Sequence, residues 1–154
     1  MKNLRQTTDT ILMVRPHKFI FNPQTSSSNA FQQQGADARN KEFERQALQE
    51  FDGLAEILRA NGIEVIVKQD TPMPPKPDAI FPNNWVMFHH SGKVSLFPME
   101  AENRRNERRM DIIEDLKDNF KVDVIENWAE GEANGRFLEG TGSMVFDHIN
   151  RIAY

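Results

Sequence analysis

The chain has 154 residues, and 19 Lys and Arg against 23 Asp and Glu leave a formal net charge of −4, a length that suits one domain with a sizeable core. A hydrophobic fraction of 38% with 27% charged residues does not indicate disorder, and the mild acidity argues against a general nucleic-acid or anionic-membrane binder. Cysteine is absent, so disulfides, thiolate metal sites and cysteine nucleophiles are all excluded for these residues by themselves.

Met1 to Thr7 carries charge without an apolar signal core behind it, and no apolar run reaches membrane-span length, which makes a cytoplasmic protein the expectation. Thr10 to Arg15 is a short apolar run stopped by Pro16 and reads as a buried strand. From Pro16 to Ala36 the chain is rich in Asn, Gln, Ser, Thr, Gly and Pro, with Phe19, Phe21 and Phe31 embedded in it; a long segment of this kind reads either as a mobile lid or binding segment or as a disordered linker, the three phenylalanines weighing against the linker. Phe43, Ala47, Phe51, Leu54, Ala55 and Leu58 recur at spacings of three and four and predict an amphipathic helix that stops at Asn61-Gly62. Ile63 to Val67 reads as a strand. The prolines at 72, 74, 75 and 77 make the next segment an extended connector that cannot be helical.

Trp85 to His89 and Lys93 to Phe97 flank a Ser91-Gly92 turn and form a predicted hairpin. A helix is expected from Asn103 to Asn119, with Met110, Ile113, Leu116 and Phe120 as its inner stripe, followed by a strand from Val122 to Ile125. Ser143 to Asp147 and Arg151 to Tyr154 flank His148-Ile149-Asn150 as a second hairpin. Residues 87–96 lie over 145–154 with Phe on Phe, His on His, Lys on Arg and Val on Ile, which suggests a repeated strand–strand–helix–strand unit that must stack on its neighbours. The second unit breaks off before its helix, and the terminal Ile-Ala-Tyr carries no polar cap, so the architecture is expected to be truncated.

Among candidate chemical groups, His17, His89, His90 and His148 lack metal-ligand spacing, and structural roles are the ordinary reading of each. No Ser-His-Asp pattern or phosphate-binding glycine loop is recognisable. The run Arg104-Arg105-Asn106-Glu107-Arg108-Arg109 reads as a solvated helix face, as a short basic patch for nucleic acid, or as the source of one guanidinium that grips a carboxylate with two parallel hydrogen bonds. Two further segments have the wrong composition for simple packing. Pro77 to Trp85 places an acid and two amides beside a strand, and Phe137-Leu138-Glu139-Gly140-Thr141-Gly142-Ser143 places a carboxylate at a glycine-rich turn. Turn chemistry explains either one alone. Because both precede equivalent hairpins, stacking would bring them to one end and make a polar ligand site; Asp78, Asn84 and Glu139 are then expected on one concave surface with Arg104 at its rim.

These segments resemble the arginine deiminase-related, amidinotransferase-type family, the guanidine-modifying group with the five-bladed pentein fold. The resemblance rests on Met13-Val14-Arg15-Pro16, Asn22-Pro23-Gln24-Thr25, Phe81-Pro82-Asn83-Asn84-Trp85, Phe97-Pro98-Met99, the arginine-rich run and Leu138 to Val145, in that order over nearly the whole chain. The branch it is most similar to is the one proposed to act on citrulline or related ureido and guanidino amino acids. The resemblance implies an α/β pentein-type propeller of repeated ββαβ units, of which residues 1–154 would be the amino-terminal half, with no cofactor and no metal. It also implies a cysteine nucleophile and a histidine acid/base that these residues lack. Glu139 falls where the family places the carboxylate that orients the histidine, while Asp78, Asn83 and Asn84 fall where dimethylarginine-hydrolase-like relatives hold the substrate with acids. Arg104 fits the position that binds the substrate carboxylate, with Arg105 as the second choice. Two departures, amides at 83 and 84 and Gly142 where other members carry Asp, favour a neutral ureido group over a cationic guanidinium.

The leading expectation is the substrate-binding and histidine-orienting part of a cysteine-dependent hydrolase or amidinotransferase-like enzyme, acting on a small guanidino or ureido amino acid. Its expected partner is the missing carboxy-terminal half or a second copy of the chain, with neither nucleic acid nor membrane. The alternative is a non-catalytic remnant that binds a small amino acid or a partner protein.

Overall fold

The computed structural model describes residues 6–26 and 37–154, with the side chains of residues 37–40 left aside. These residues form two compact units, one within residues 9–82 and 101–107, the other within residues 1–8, 83–100 and 108–154. Residues 27–36 of the expected lid lie outside the described residues.

The first unit is built on a β-α-β crossover. Strand β1 (Thr10–Arg15) pairs in parallel with β2 (Glu64–Gln69), Thr10 facing Glu64 and Arg15 facing Gln69, and helix α1 (Asp37–Ala60) connects them. Parallel neighbours need such a long connection. Gly62 ends the helix region at φ +81, a conformation glycine reaches without a Cβ penalty. The buried face of α1 is narrower than the periodicity predicts: Phe51 and Ala55 are buried, as are Val14 and Val65 of the strands, whereas Phe43 and Leu54 are exposed. Nor is the proline-rich connector simply extended. Lys76 is buried and its Nζ donates to the backbone oxygens of Thr71 and Pro74 while facing Asp70 Oδ1 at 3.2 Å, so the segment curls around its own ammonium group.

The second unit is a three-stranded sheet in the order β3 (Val86–Phe88), β4 (Lys93–Leu96), β5 (Val124–Asn127), the first pair antiparallel and the second parallel. Its core joins Trp85, Val86, Val94, Leu96 and Met99 to Ile113 of helix α2 (Met110–Lys117). The expected helix over Asn103–Asn119 is therefore wrong at its start. A 3-10 turn covers Glu102–Glu107, Arg109 is extended, and α2 begins afresh at Met110. The two parts of that run belong to different units, and the polar pair Arg104–Glu107 is buried where an amphipathic helix would expose it. The inner stripe of α2 is Ile112, Ile113 and Leu116; Met110 and Phe120 are exposed.

The second hairpin forms with a smaller ladder, β6 (Phe146–Asp147) against β7 (Ile152–Ala153), extended by reciprocal backbone bonds between Val145 and Tyr154. Ser143 belongs instead to a helical turn, α3 (Gly140–Ser143). The two hairpins are not superimposable residue for residue. Phe88 faces Val94, so the sequence correspondence would set Phe146 opposite Ile152; it pairs with Ala153. The left-handed residue slips in the same sense, from Gly92 at φ +88 to Arg151 at φ +58 rather than to Asn150. Asp147 Oδ1 accepts the backbone N–H groups of Ile149 and Asn150, and this side-chain turn fixes the second loop.

Candidate functional site

In the second unit the structure brings Asn84 and Glu139 together. Asn84 ends a 3-10 turn (Pro82–Asn84) just before β3, and Glu139 immediately precedes α3. The Asn84 side-chain amide donates to Glu139 Oε2 at 3.1 Å, and the backbone N–H of Glu100 donates to Oε1 at 3.1 Å. Both carboxylate oxygens are thus held from separate segments, which restricts the rotation of the group. Asn83 is exposed; its backbone oxygen accepts the Thr141 hydroxyl at 3.4 Å.

The glycines around Glu139 have two different causes. Gly140 sits at φ +43, and a Cβ there would lie 2.3 Å from the Asn83 backbone oxygen, so both torsion and a close backbone approach require glycine. Gly142 has no left-handed torsion. A Cβ on Gly142 would instead meet Asn84 Nδ2 at 2.4 Å. Turn chemistry accounts for Gly140 and leaves Gly142 to be explained by its neighbour.

The first unit holds the Asp78 and Arg104 group. Asn22 is fully buried; its Nδ2 donates to Asp78 Oδ2 at 2.6 Å, and its Oδ1 accepts from Asn103 Nδ2 at 2.7 Å and from the Gln24 backbone N–H at 3.1 Å. Arg104 Nε lies 3.7 Å from Asp78 Oδ2, yet the guanidinium fork is turned onto Glu107, with Nε to Oε1 and Nη2 to Oε2 both at 3.0 Å. Arg104 is therefore buried in a polar network. Arg105 is more open and lies 4.0 Å from Glu102. Asn22 and Asn103 escaped the sequence reading as members of this network, and Glu107, expected to pair with the arginine run on a solvated face, pairs with Arg104 in a buried one. Signals for two of them existed: Asn22-Pro23 is a turn dipeptide, and Arg104 and Glu107 stand three residues apart, the spacing of a side-chain pair on a helical turn.

A separate cleft of about 530 Å³ lies over the β3–β4–β5 sheet, lined by His89, Lys93, Ser95, Glu126, Trp128 and Phe146 among others, and contains neither Asn84 nor Glu139. His89 Nε2 lies 3.0 Å from Ser95 Oγ. Burial and then the Lys93 charge hold His89 below the ordinary histidine range, consistent with a neutral, packed imidazole. His148 stacks loosely on Phe146, ring centroids 5.9 Å apart. Among the described residues no group of three or more His, Cys, Asp or Glu could hold a metal ion, and no helix is long and apolar enough to cross a membrane.

Two solved structures share the fold over 94% of this chain. One is apo ArgZ, an arginine dihydrolase from the ornithine-ammonia cycle in cyanobacteria, at 18% identity and TM-score 0.62. The other is unliganded AgrE, at 21% identity and TM-score 0.60. The chain spans only 19% of the length of each. No curated protein matches it. The pattern of the family described as N,N dimethylarginine dimethylhydrolase, eukaryotic, matches residues 15–154, in agreement with the guanidine-modifying relationship carried by the sequence motifs. The chain belongs to that N,N dimethylarginine dimethylhydrolase family.

Proposed function

We propose that residues 1–154 are the substrate-binding and histidine-orienting part of a cysteine-dependent hydrolase acting on a ureido or guanidino amino acid. The observation that carries this reading is the Glu139 carboxylate, held at both oxygens by Asn84 and by the Glu100 N–H. A carboxylate so fixed suits the task of holding an imidazole in one tautomer and stabilising its protonated form. The chain contains no cysteine, so this proposal assigns the nucleophile, and with it the histidine partner of Glu139, to polypeptide other than these residues. The propeller of repeated ββαβ units, the carboxy-terminal half or a second copy as partner, and a cytoplasmic setting are parts of the same proposal.

Asn83 and Asn84 are the proposed contacts for the reacting group. Amides donate and accept hydrogen bonds without charge, which favours citrulline-like ureido substrates over arginine. Separately, Asp78, Arg104 and Arg105 are proposed substrate contacts through their family positions. Of the two arginines, Arg105 is the more exposed, and the fork of Arg104 is engaged by Glu107. The arginine chemistry named for ArgZ and the family description both support hydrolysis at a guanidino or ureido carbon.

Titration calorimetry of the chain with citrulline and with arginine tests the binding half of this reading. Citrulline is expected to bind more tightly. Tighter binding of arginine would contradict the assignment of Asn83 and Asn84, and no binding of either would favour a non-catalytic remnant.

A further inference from the structure

Gly142 is unexplained by its backbone. It lies in the short helical turn Gly140–Ser143, donates its N–H to the Glu139 backbone oxygen at 2.9 Å, and has no positive φ. In a helical conformation glycine is inferior to alanine because it loses more backbone entropy. A side chain here would displace one group, the end of the Asn84 side chain. The ideal Cβ would lie 2.4 Å from Asn84 Nδ2 and 3.4 Å from its Cγ, and the nearest heavy atoms all belong to Asn84. That same Nδ2 is the atom that donates to Glu139 Oε2.

We propose that Gly142 is a positioning residue: its missing side chain is the space through which the Asn84 carboxamide reaches Glu139. Positions 84 and 142 then act as a pair. Any Cβ at 142 pushes the amide off the line to Oε2, whatever the chemistry of the added group. An acid at 84 would also set a second carboxylate beside Glu139, which like-charge repulsion disfavours. A glycine at 142 with an asparagine at 84 therefore keeps the neighbourhood of Glu139 hydrogen-bonded and adds no charge to it. The citrulline-binding arm of the test rests on the hydrolase reading above, whereas the geometric pairing stands without it.

The test is a double-mutant cycle on the full 154-residue chain with Gly142→Ala and Asn84→Ala, followed by thermal unfolding and by NMR of the Asn84 side-chain amide. Gly142→Ala alone should lower the unfolding midpoint by about 3 °C or more and shift the Asn84 Nδ2 resonances. In the Asn84→Ala background the same substitution should be neutral or raise the midpoint, a rescue that general damage to the turn would not give. Equal losses in both backgrounds, or unshifted Asn84 amide resonances in Gly142→Ala, would overturn the proposal. A calorimetric arm separates the two readings. If citrulline binds, Gly142→Ala should weaken it about tenfold in the Asn84 background, the scale of one lost hydrogen bond, and leave the Asn84→Ala protein unchanged. If neither citrulline nor arginine binds while the cycle shows coupling, the hydrolase reading fails and the positioning role remains.

Discussion

Asn84 and Glu139, 55 positions apart in sequence, are joined by a 3.1 Å hydrogen bond from the amide to the carboxylate. The bond matters because it makes an acid and an amide a single oriented group, and because it depends on an empty space at Gly142. Asn84→Asp replaces the donor with a second carboxylate. The variant should be less stable than the wild type at about pH 7, and the deficit should shrink toward about pH 4 as protonation removes the repulsion. Unfolding midpoints at the two pH values check this; a deficit independent of pH would mean that charge is not its cause.

Glu107 is buried and accepts the Arg104 fork through both oxygens. Removing it with Glu107→Ala takes away the bidentate partner of the buried guanidinium and leaves Asp78 3.7 Å from Nε. Breaking a buried pair from one side costs about 3–5 kcal/mol. Urea denaturation should register a loss near the lower end of that range, because Asp78 supplies part of the compensation. A loss within the scatter of surface substitutions would show that the pair adds nothing.

His89 is held below its ordinary range by burial and by Lys93. A group with a depressed folded value binds its proton more tightly in the unfolded chain. Its contribution to stability is therefore present above the unfolded value of about 6.5 and is lost as pH falls toward the folded value. Urea midpoints should decline between about pH 7.5 and about pH 5.5 in the wild type and decline less in His89→Gln. Parallel declines would assign the effect to other groups.

The readable parts of this chain were those governed by neighbours in sequence. β1 and the end of α1 followed from Pro16 and Gly62, and the first hairpin from the Ser91-Gly92 turn. The nearness of Asn84 to Glu139 was legible in the position of both segments before hairpins. What remained hidden depends on distant partners. The break before Met110 arises because Arg104 and Glu107 bury each other, and a periodicity argument counts both as surface residues. Asn22 looked like loop polarity, yet it is buried because Asp78 and Asn103, 56 and 81 positions away, complete its hydrogen bonds. Gly142 looked like the replacement of a family acid, and its physical reason is a side chain from another segment.

The most direct measurement joins residues 1–154, in trans or in one chain, to a polypeptide that carries the family's histidine and cysteine, and follows hydrolysis of citrulline and arginine. The account predicts no turnover by the 154 residues alone, turnover on complementation with citrulline preferred, and a loss of about 10²–10⁴-fold on Glu139→Ala as the histidine loses its orienting carboxylate. Undiminished activity of the complemented Glu139→Ala protein, or turnover by the unaccompanied chain, would contradict it.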